Sequence, residues 1–321
     1  MLQPASTPIS ISLDTIQSLL PQIDVFDTIR QGFIAYSKGE AVIPPVGELL
    51  FDQPPGEVHI KYGYIKTAPY YVIKIASGFY DNPKQGLPSS QGLNLLFDKA
   101  NGQLRAILLD QGFLTDVRTA VAGAISSKAL APSQVNSLGI LGAGTQAFLQ
   151  WEYHRQLIDF QEVVIWNRSP EKATALAEKI QKKGGRARVT NSVEELARHT
   201  QLIVTTTPAT SPLIQKDWIQ AGTHITAVGA DMPHKIELEP ELVAEADLVV
   251  VDSISQTKRQ GEWSQALREN LVQDGQAVEL GSVLENPKLG RQNDQQITIA
   301  DLTGVAVQDL MISQAIFENI Q

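Results

Sequence analysis

Seven residues, Leu141-Gly142-Ala143-Gly144-Thr145-Gln146-Ala147, restrict the fold more than any others in the chain. They fit G-x-G-x-x-A, follow a short apolar run at residues 136–142, and open a helical pattern from Thr145 to Leu157. In that context Gly142 makes a tight turn, Gly144 lets a pyrophosphate approach the backbone, and Ala147 allows close helix-strand packing. The phosphates then rest on the positive helix N-terminus. A loop that merely turns a corner does not need the alternation that follows it. A strand is expected at 161–166, a helix at 170–182 with Ser169 as N-cap and Pro170 in the first helical position, and further strands at 202–206, 224–228 and 247–251. Continuous apolar runs of this kind belong to parallel strands buried on both faces. The pattern predicts an α/β chain with a Rossmann-type doubly wound parallel sheet domain. Gly142, Gly144, Thr145 and Gln146 are its first cofactor-binding candidates.

The end of the second strand of such a domain usually carries an acidic residue for the ribose hydroxyls of NAD. Here the chain reads Trp166-Asn167-Arg168-Ser169. With no carboxylate to repel a 2'-phosphate and Arg168 to bind it, NADP(H) is favoured, with NAD(H) as the alternative. Asn167 and Arg168 join the cofactor-binding candidates. So do Thr206 and Thr207, which pass the adenosine side, and Val228, at the end of the next strand. Trp151, Trp166, Trp218 and Trp263 read as packing residues.

Composition narrows the chemistry. The 321 residues allow about two domains. A net charge of -9 argues against nucleic acid as a partner. The absence of cysteine removes disulfides, thiolate metal sites and a cysteine nucleophile. The five histidines show no i, i+3 or i, i+4 pair, so no metal site is expected. No apolar run approaches the roughly 20 residues of a membrane span, and no basic n-region precedes Arg30, so the expectation is a soluble cytoplasmic protein with no membrane partner.

Residues 1–120 have another style, rich in Pro, Gly and aromatic residues. Residues 58–64 and 70–76 alternate with period two about Thr67-Ala68-Pro69, which predicts an antiparallel hairpin. An Ala-rich helix follows from Thr115 to Leu130, closed by Pro132. From about Ile299 a strand or turn leads to a helix, Val305 to Ile320, expected to return to the N-terminal part. The domains expected are therefore a discontinuous α+β one at 1–120 with 300–321, and a dinucleotide-binding one at 121–299.

A symmetric register in the hairpin places Lys61 opposite Lys74, where like charges repel. An anion between them resolves this, and a substrate carboxylate is the economical one. The alternative is two snorkelling surface lysines on an edge. Arg118, read in the first turn of the Ala-rich helix, faces the dipole unfavourably and also asks for an anion. His59 shares a strand face with Lys61, as a substrate contact or as a satisfied structural histidine. Asp231, at the carboxyl end of a parallel strand, is placed to exchange a proton with a substrate nitrogen, or else caps a turn before Pro233.

Five ordered signatures resemble the ornithine cyclodeaminase and mu-crystallin family, which also holds archaeal-type alanine dehydrogenases and ketimine reductases. They are Lys74 with Gly78-Phe79-Tyr80-Asp81-Asn82, Leu114-Thr115-Asp116-Val117-Arg118-Thr119-Ala120, the glycine turn, Val228-Gly229-Ala230-Asp231 followed by Lys235 and Glu237, and Gly304-Val305-Ala306-Val307-Gln308-Asp309. The resemblance implies that Lys74 and Arg118 hold a substrate carboxylate, that Asp231 transfers protons at the reacting carbon, and that Gly304 and Val305 lie near the nicotinamide, with Gly304 also a substrate-binding candidate. Lys74 stands with Asp231 among the catalytic candidates, and Arg118 among the cofactor contacts too. The resemblance further implies a homodimer built on the N-terminal domain and the returning helix, with the active site in the cleft between domains. Two departures matter. The arginine expected shortly after Pro44-Pro45 is replaced by Val46-Gly47-Glu48, and Lys61 stands where cyclodeaminases carry an acidic residue for a distal amine. A lysine there argues against a diamine and substitutes for the missing arginine; its added charge would also suit a dicarboxylic imine. The implied reaction is NAD(P)H-dependent reduction of a 2-imino acid or cyclic ketimine to an amino acid. The alternatives are an amino-acid dehydrogenase working from a 2-oxo acid and ammonia, a deaminating cyclase, and a cofactor-dependent binding protein. Lys74, Arg118 and Asp231 together favour catalysis, since a binder needs no proton-transfer group.

Overall fold

The computed structural model describes residues 7–79 and 81–320, which leaves Tyr80 of the segment after Lys74 outside the described residues. The chain divides into two compact units, Met1–Arg118 with Val305–Gln321, and Thr119–Gly304.

The first unit is built on strands β1 (Ile9–Ser12), β2 (Ala41–Val42), β3 (Gly47–Asp52), β4 (Pro55–Ile65), β5 (Tyr70–Gly78), β6 (Ser90–Asp98) and β7 (Leu104–Leu109). The sheet runs in the order β1-β7-β6-β5-β4-β2, with β3 also on β4. The β1–β7 pair is parallel, and β4 to β7 form an antiparallel meander. The hairpin read from period two is β4–β5, and its register sets Lys61 opposite Lys74, and Lys74 opposite Asn94 on β6. Residues in register share a face of a pleated sheet, so these three form one polar row. Helices α1 (Leu13–Leu19) and α2 (Val25–Ser37) follow β1, and the C-terminal helix Ala306–Glu318 packs on α2 and over β4, β5 and β6. Close approach of those helices depends on Gly32, where a Cβ would fall 2.9 Å from Met311 Cγ.

Helix α3 (Phe113–Leu130) begins two residues earlier than its Ala-rich pattern suggests. The Asp110 carboxylate accepts a hydrogen bond from Leu114 N at 2.9 Å and caps the helix ahead of Thr115. Arg118 is therefore in the second turn, where the helix dipole no longer disfavours it, and its need for an anion arises from burial instead.

In the second unit the strands are β8 (Ser137–Leu141), β9 (Glu162–Trp166), β10 (Ala187–Val189), β11 (Leu202–Thr205), β12 (Thr210–Ile214), β13 (His224–Ala227), β14 (Ile236–Leu238), β15 (Leu248–Val251), β16 (Val278–Glu279) and β17 (Thr298–Asp301). Eight of them form a parallel sheet in the order β10-β9-β8-β11-β13-β17-β15-β16, and β12 pairs with β14 apart from it. The order reverses between β8 and β11, the topological switch point where such sheets bind ligands. Helices α4 (Thr145–Leu157) and α5 (Pro170–Lys182) follow β8 and β9, and the Ser169 hydroxyl caps α5 by accepting from Lys172 N. Two fully buried histidines are joined by hydroxyls: His154 Nε2 lies 2.8 Å from Ser127 Oγ, Ser127 Oγ 2.7 Å from Thr226 Oγ1, and Thr226 Oγ1 2.9 Å from His224 Nε2.

Candidate active site

The glycine turn of the second unit has the geometry of an anion cradle. Gly142 takes φ +117°, and a Cβ there would lie 2.4 Å from Thr206 Oγ1, so glycine is required. At Gly144 an added Cβ would meet nothing within 4 Å, and the α4 N-terminus that it opens has no side-chain cap. Unsatisfied N–H groups facing open space are what a pyrophosphate needs. A cavity of about 740 Å³ is lined by Gly142, Gly144, Thr145, Asn167, Arg168, Lys172, Thr206 and Thr207, and these residues fit a dinucleotide. Trp166 lines it as well, besides packing on the core. Gln146 and Val228 are outside this lining; Val228 is buried and donates its N–H to Thr205 O.

Glu237 braces the loops beside this cavity. One carboxylate oxygen accepts from Thr207 N at 2.6 Å and Thr207 Oγ1 at 2.7 Å; the other accepts from Thr205 Oγ1 at 2.6 Å and Gly229 N at 2.8 Å. Burial pushes the Glu237 carboxyl up, against these four hydrogen bonds. Asp252 does similar work near the end of the unit, accepting from Thr303 N at 2.8 Å and Gly304 N at 2.6 Å, and Gly304 takes φ +82°. Asp231 is partly exposed, and its Oδ1 receives a hydrogen bond from Lys235 Nζ at 2.7 Å, an ion pair that helps to orient it.

In the first unit Lys61, Lys74 and Arg118 are 9%, 2% and 5% exposed, which removes the snorkelling alternative. The chain itself supplies an anion to this cluster. Asp309 Oδ1 accepts from Lys74 Nζ at 3.3 Å and from Arg118 Nε at 3.2 Å, and Gln308 Oε1 accepts from Arg118 Nη1 at 2.7 Å. Burial pulls the Lys74 ammonium down to about 7; Asp309 opposes that pull, and Arg118 and Lys61 add to it. Burial pushes the Asp309 carboxyl up, but the charges of Lys74, Arg118 and Lys61 outweigh it and hold the group below its ordinary value. Asp110 is pushed up by burial, against the Leu114 N–H that it accepts. Asn94 Oδ1, Asp110 Oδ1 and Asp309 Oδ2 are buried oxygens with no hydrogen-bond partner among the described residues. His59, half-buried, stands two residues from Lys61 on the same face of β4.

In the sequence Asp309 and its neighbour Gln308 stand out only as part of a signature, and Asn94 and Asp110 carry no motif of their own. The available signal was a lone carboxylate inside the apolar run Val305–Ile312, since a buried charge demands a partner. Among the described residues no His, Cys, Asp or Glu cluster could hold a metal ion, and no helix is long and apolar enough to cross a membrane.

A Rossmann-type parallel sheet with its glycine turn, joined to a mixed sheet that buries a cation cluster, defines a two-domain α/β protein. The chain belongs to the ornithine cyclodeaminase/mu-crystallin family, whose model matches residues 9–321. It is 38% identical over 310 residues to an uncharacterised cyclodeaminase of Sinorhizobium fredii, covering 95% of this chain and 94% of the other. Among solved structures it resembles an archaeal alanine dehydrogenase dimer with bound NAD at TM-score 0.90 and 30% identity, covering 97% of this chain and 95% of that one. A Δ1-pyrroline-2-carboxylate reductase of Thermococcus litoralis in complex with NADH and L-proline also matches at TM-score 0.90, with 26% identity and 97% of each chain covered.

Proposed function

We propose that this protein is an NAD(P)-dependent oxidoreductase that reduces a 2-imino acid or cyclic ketimine to the amino acid. The observation that carries this reading is the arrangement of Lys74 and Arg118. A guanidinium has five N–H donors and an ammonium three. Among the described residues Asp309 and Gln308 take two from Arg118 and Asp309 takes one from Lys74, leaving charged donors for a substrate carboxylate. Charge-assisted hydrogen bonds of this kind fix the carbon next to the carboxylate in one orientation, and fixed orientation lowers the barrier. Lys61 and His59 complete the polar wall on β4, and Lys61 disfavours the diamine that a deaminating cyclase would take. Asp231, oriented by Lys235, exchanges the proton at the substrate nitrogen. Lys74, with its pKa lowered to about 7, is a second proton carrier near neutral pH.

A bound nicotinamide cofactor would supply the hydride. Gly142, Gly144, Thr145 and the α4 N-terminus would hold its pyrophosphate, Thr206 and Thr207 its adenosine side, and Gly304, Val305 and Val228 would serve the nicotinamide half. Arg168, with no carboxylate at Trp166-Asn167-Arg168-Ser169, favours NADP(H), although both solved relatives hold NAD or NADH. A homodimer is the proposed assembly, in line with the dimer named for the archaeal relative.

The test is oxidation of NADPH and of NADH against cyclic ketimines and against 2-oxo acids with ammonia or methylamine. Turnover with preformed ketimines or with oxo acid plus amine supports the reading. Tight cofactor binding without turnover on any pair would replace it by a binding protein.

A further inference from the structure

We propose that Asp309 is a positioning residue for substrate, an internal carboxylate that fixes the orientation of Arg118 and keeps the Lys74 ammonium charged for an incoming carboxylate. The proposal rests on the reading that Lys74 and Arg118 bind the substrate carboxylate.

Asp309 lies in the first turn of the C-terminal helix, yet its Oδ1 reaches both Lys74 Nζ on β5 and Arg118 Nε on α3, residues 235 and 191 positions away. Gln308, beside it, takes Arg118 Nη1. The guanidinium is thus anchored through Nε and Nη1, and among the described residues Nη2 has no partner. A carboxylate whose role was only to neutralise arginine would bind the fork with both oxygens. Asp309 instead bridges two cations with one oxygen, and its buried Oδ2 makes no hydrogen bond among the described residues. That geometry orders the cations without saturating them.

The charge balance points the same way. The groups facing Lys74 are Lys61 on β4, Arg118 on α3, Asp309 on the C-terminal helix and Asp110 after β7. Two of the four are cations, and burial already favours the neutral amine. Without Asp309 the same environment would discharge Lys74, and an uncharged amine is a poor partner for a carboxylate.

Asp309→Asn keeps the shape and removes the charge. The expected result is a KM for the imino acid raised about tenfold or more and a limb of the pH profile assigned to Lys74 moved to lower pH by about one unit. The cofactor Kd should be unchanged. Asp309→Glu should restore the pH limb while leaving KM raised, because the charge returns at a shifted position. In full-length protein carrying 13C-labelled lysine, the Lys74 ε-carbon should titrate at lower pH in Asp309→Asn than in the wild type. A folded Asp309→Asn with unchanged KM and pH limb overturns the proposal. If Asp309→Asn does not fold, Asp309→Glu decides, and unchanged KM there overturns it equally. Lys74→Met and Arg118→Met separate the two readings: if both raise KM while the Asp309 variants do not, only the positioning role fails, and if neither raises it, the carboxylate site itself fails.

Discussion

Lys61 and Lys74 stand directly across from one another on adjacent antiparallel strands, both buried, with a carboxylate of the same chain bonded to Lys74. Like charges in that position lower each other's affinity for protons. Lys61→Met should therefore raise the Lys74 pKa and move the alkaline limb of kcat/KM upward, by a few tenths of a unit to about one unit. A pH profile that does not move would show that the two ammonium groups are not coupled.

Arg168, just beyond the end of β9, lines the cavity and is the cation proposed here for a 2'-phosphate. In Arg168→Gln the NADPH Kd should rise about ten- to a hundredfold, the loss of one charge-assisted hydrogen-bonding group, while the NADH Kd stays nearly constant. Fluorescence titration with both cofactors checks this. Equal weakening of both would remove Arg168 as the reader of the phosphate.

Two glycines near the cofactor cavity should respond in opposite ways. At Gly229 a Cβ would lie 2.2 Å from Thr207 O and 2.5 Å from Glu237 Oε2, so Gly229→Ala should cost about 2–3 kcal/mol in urea unfolding. At Gly144 the Cβ has open space within the protein, so Gly144→Ala should retain stability and lose cofactor affinity. If Gly144→Ala unfolds as readily as Gly229→Ala, the open space above α4 is not a ligand cradle.

His154 gives stability a defined pH dependence. Burial lowers its pKa from 6.5 to about 4. Between those values the unfolded chain binds a proton that the folded chain does not, so this contribution is complete above pH 6.5 and is lost as pH falls towards 4, by up to about 3 kcal/mol. Asp301, pushed up to about 7 by burial, works with the opposite sign but is common to both proteins in a comparison. His154→Gln should lose less unfolding free energy than the wild type between about pH 7.5 and about pH 5. Equal losses would show that His154 is not held neutral.

Local chemistry made part of this molecule readable from sequence. Ser169 and Pro170 mark the start of α5, and the symmetry of the β4–β5 turn with its period-two alternation carries the Lys61–Lys74 register. Asp309 is a different case, since both its partners lie far away in the chain and only the folded unit brings a lone helical carboxylate beneath two cations. Helix α3 starts ahead of its Ala-rich pattern because Asp110, outside that pattern, provides the cap. The position of β17 between β13 and β15 is likewise a product of tertiary pairing, as its apolar run would suit any slot in a parallel sheet.

That slot has a consequence for biosynthesis. Until Thr298–Asp301 is clear of the ribosomal exit tunnel, β13 and β15 each present an open, apolar edge, and β15 with β16 has no strand linking it to the rest of the sheet. The nascent chain carries two sheet fragments with a gap one strand wide, and such edges pair readily with the wrong partner. The sheet of the second unit is thus closed by a strand made after both of its neighbours, and its assembly waits on Thr298–Asp301.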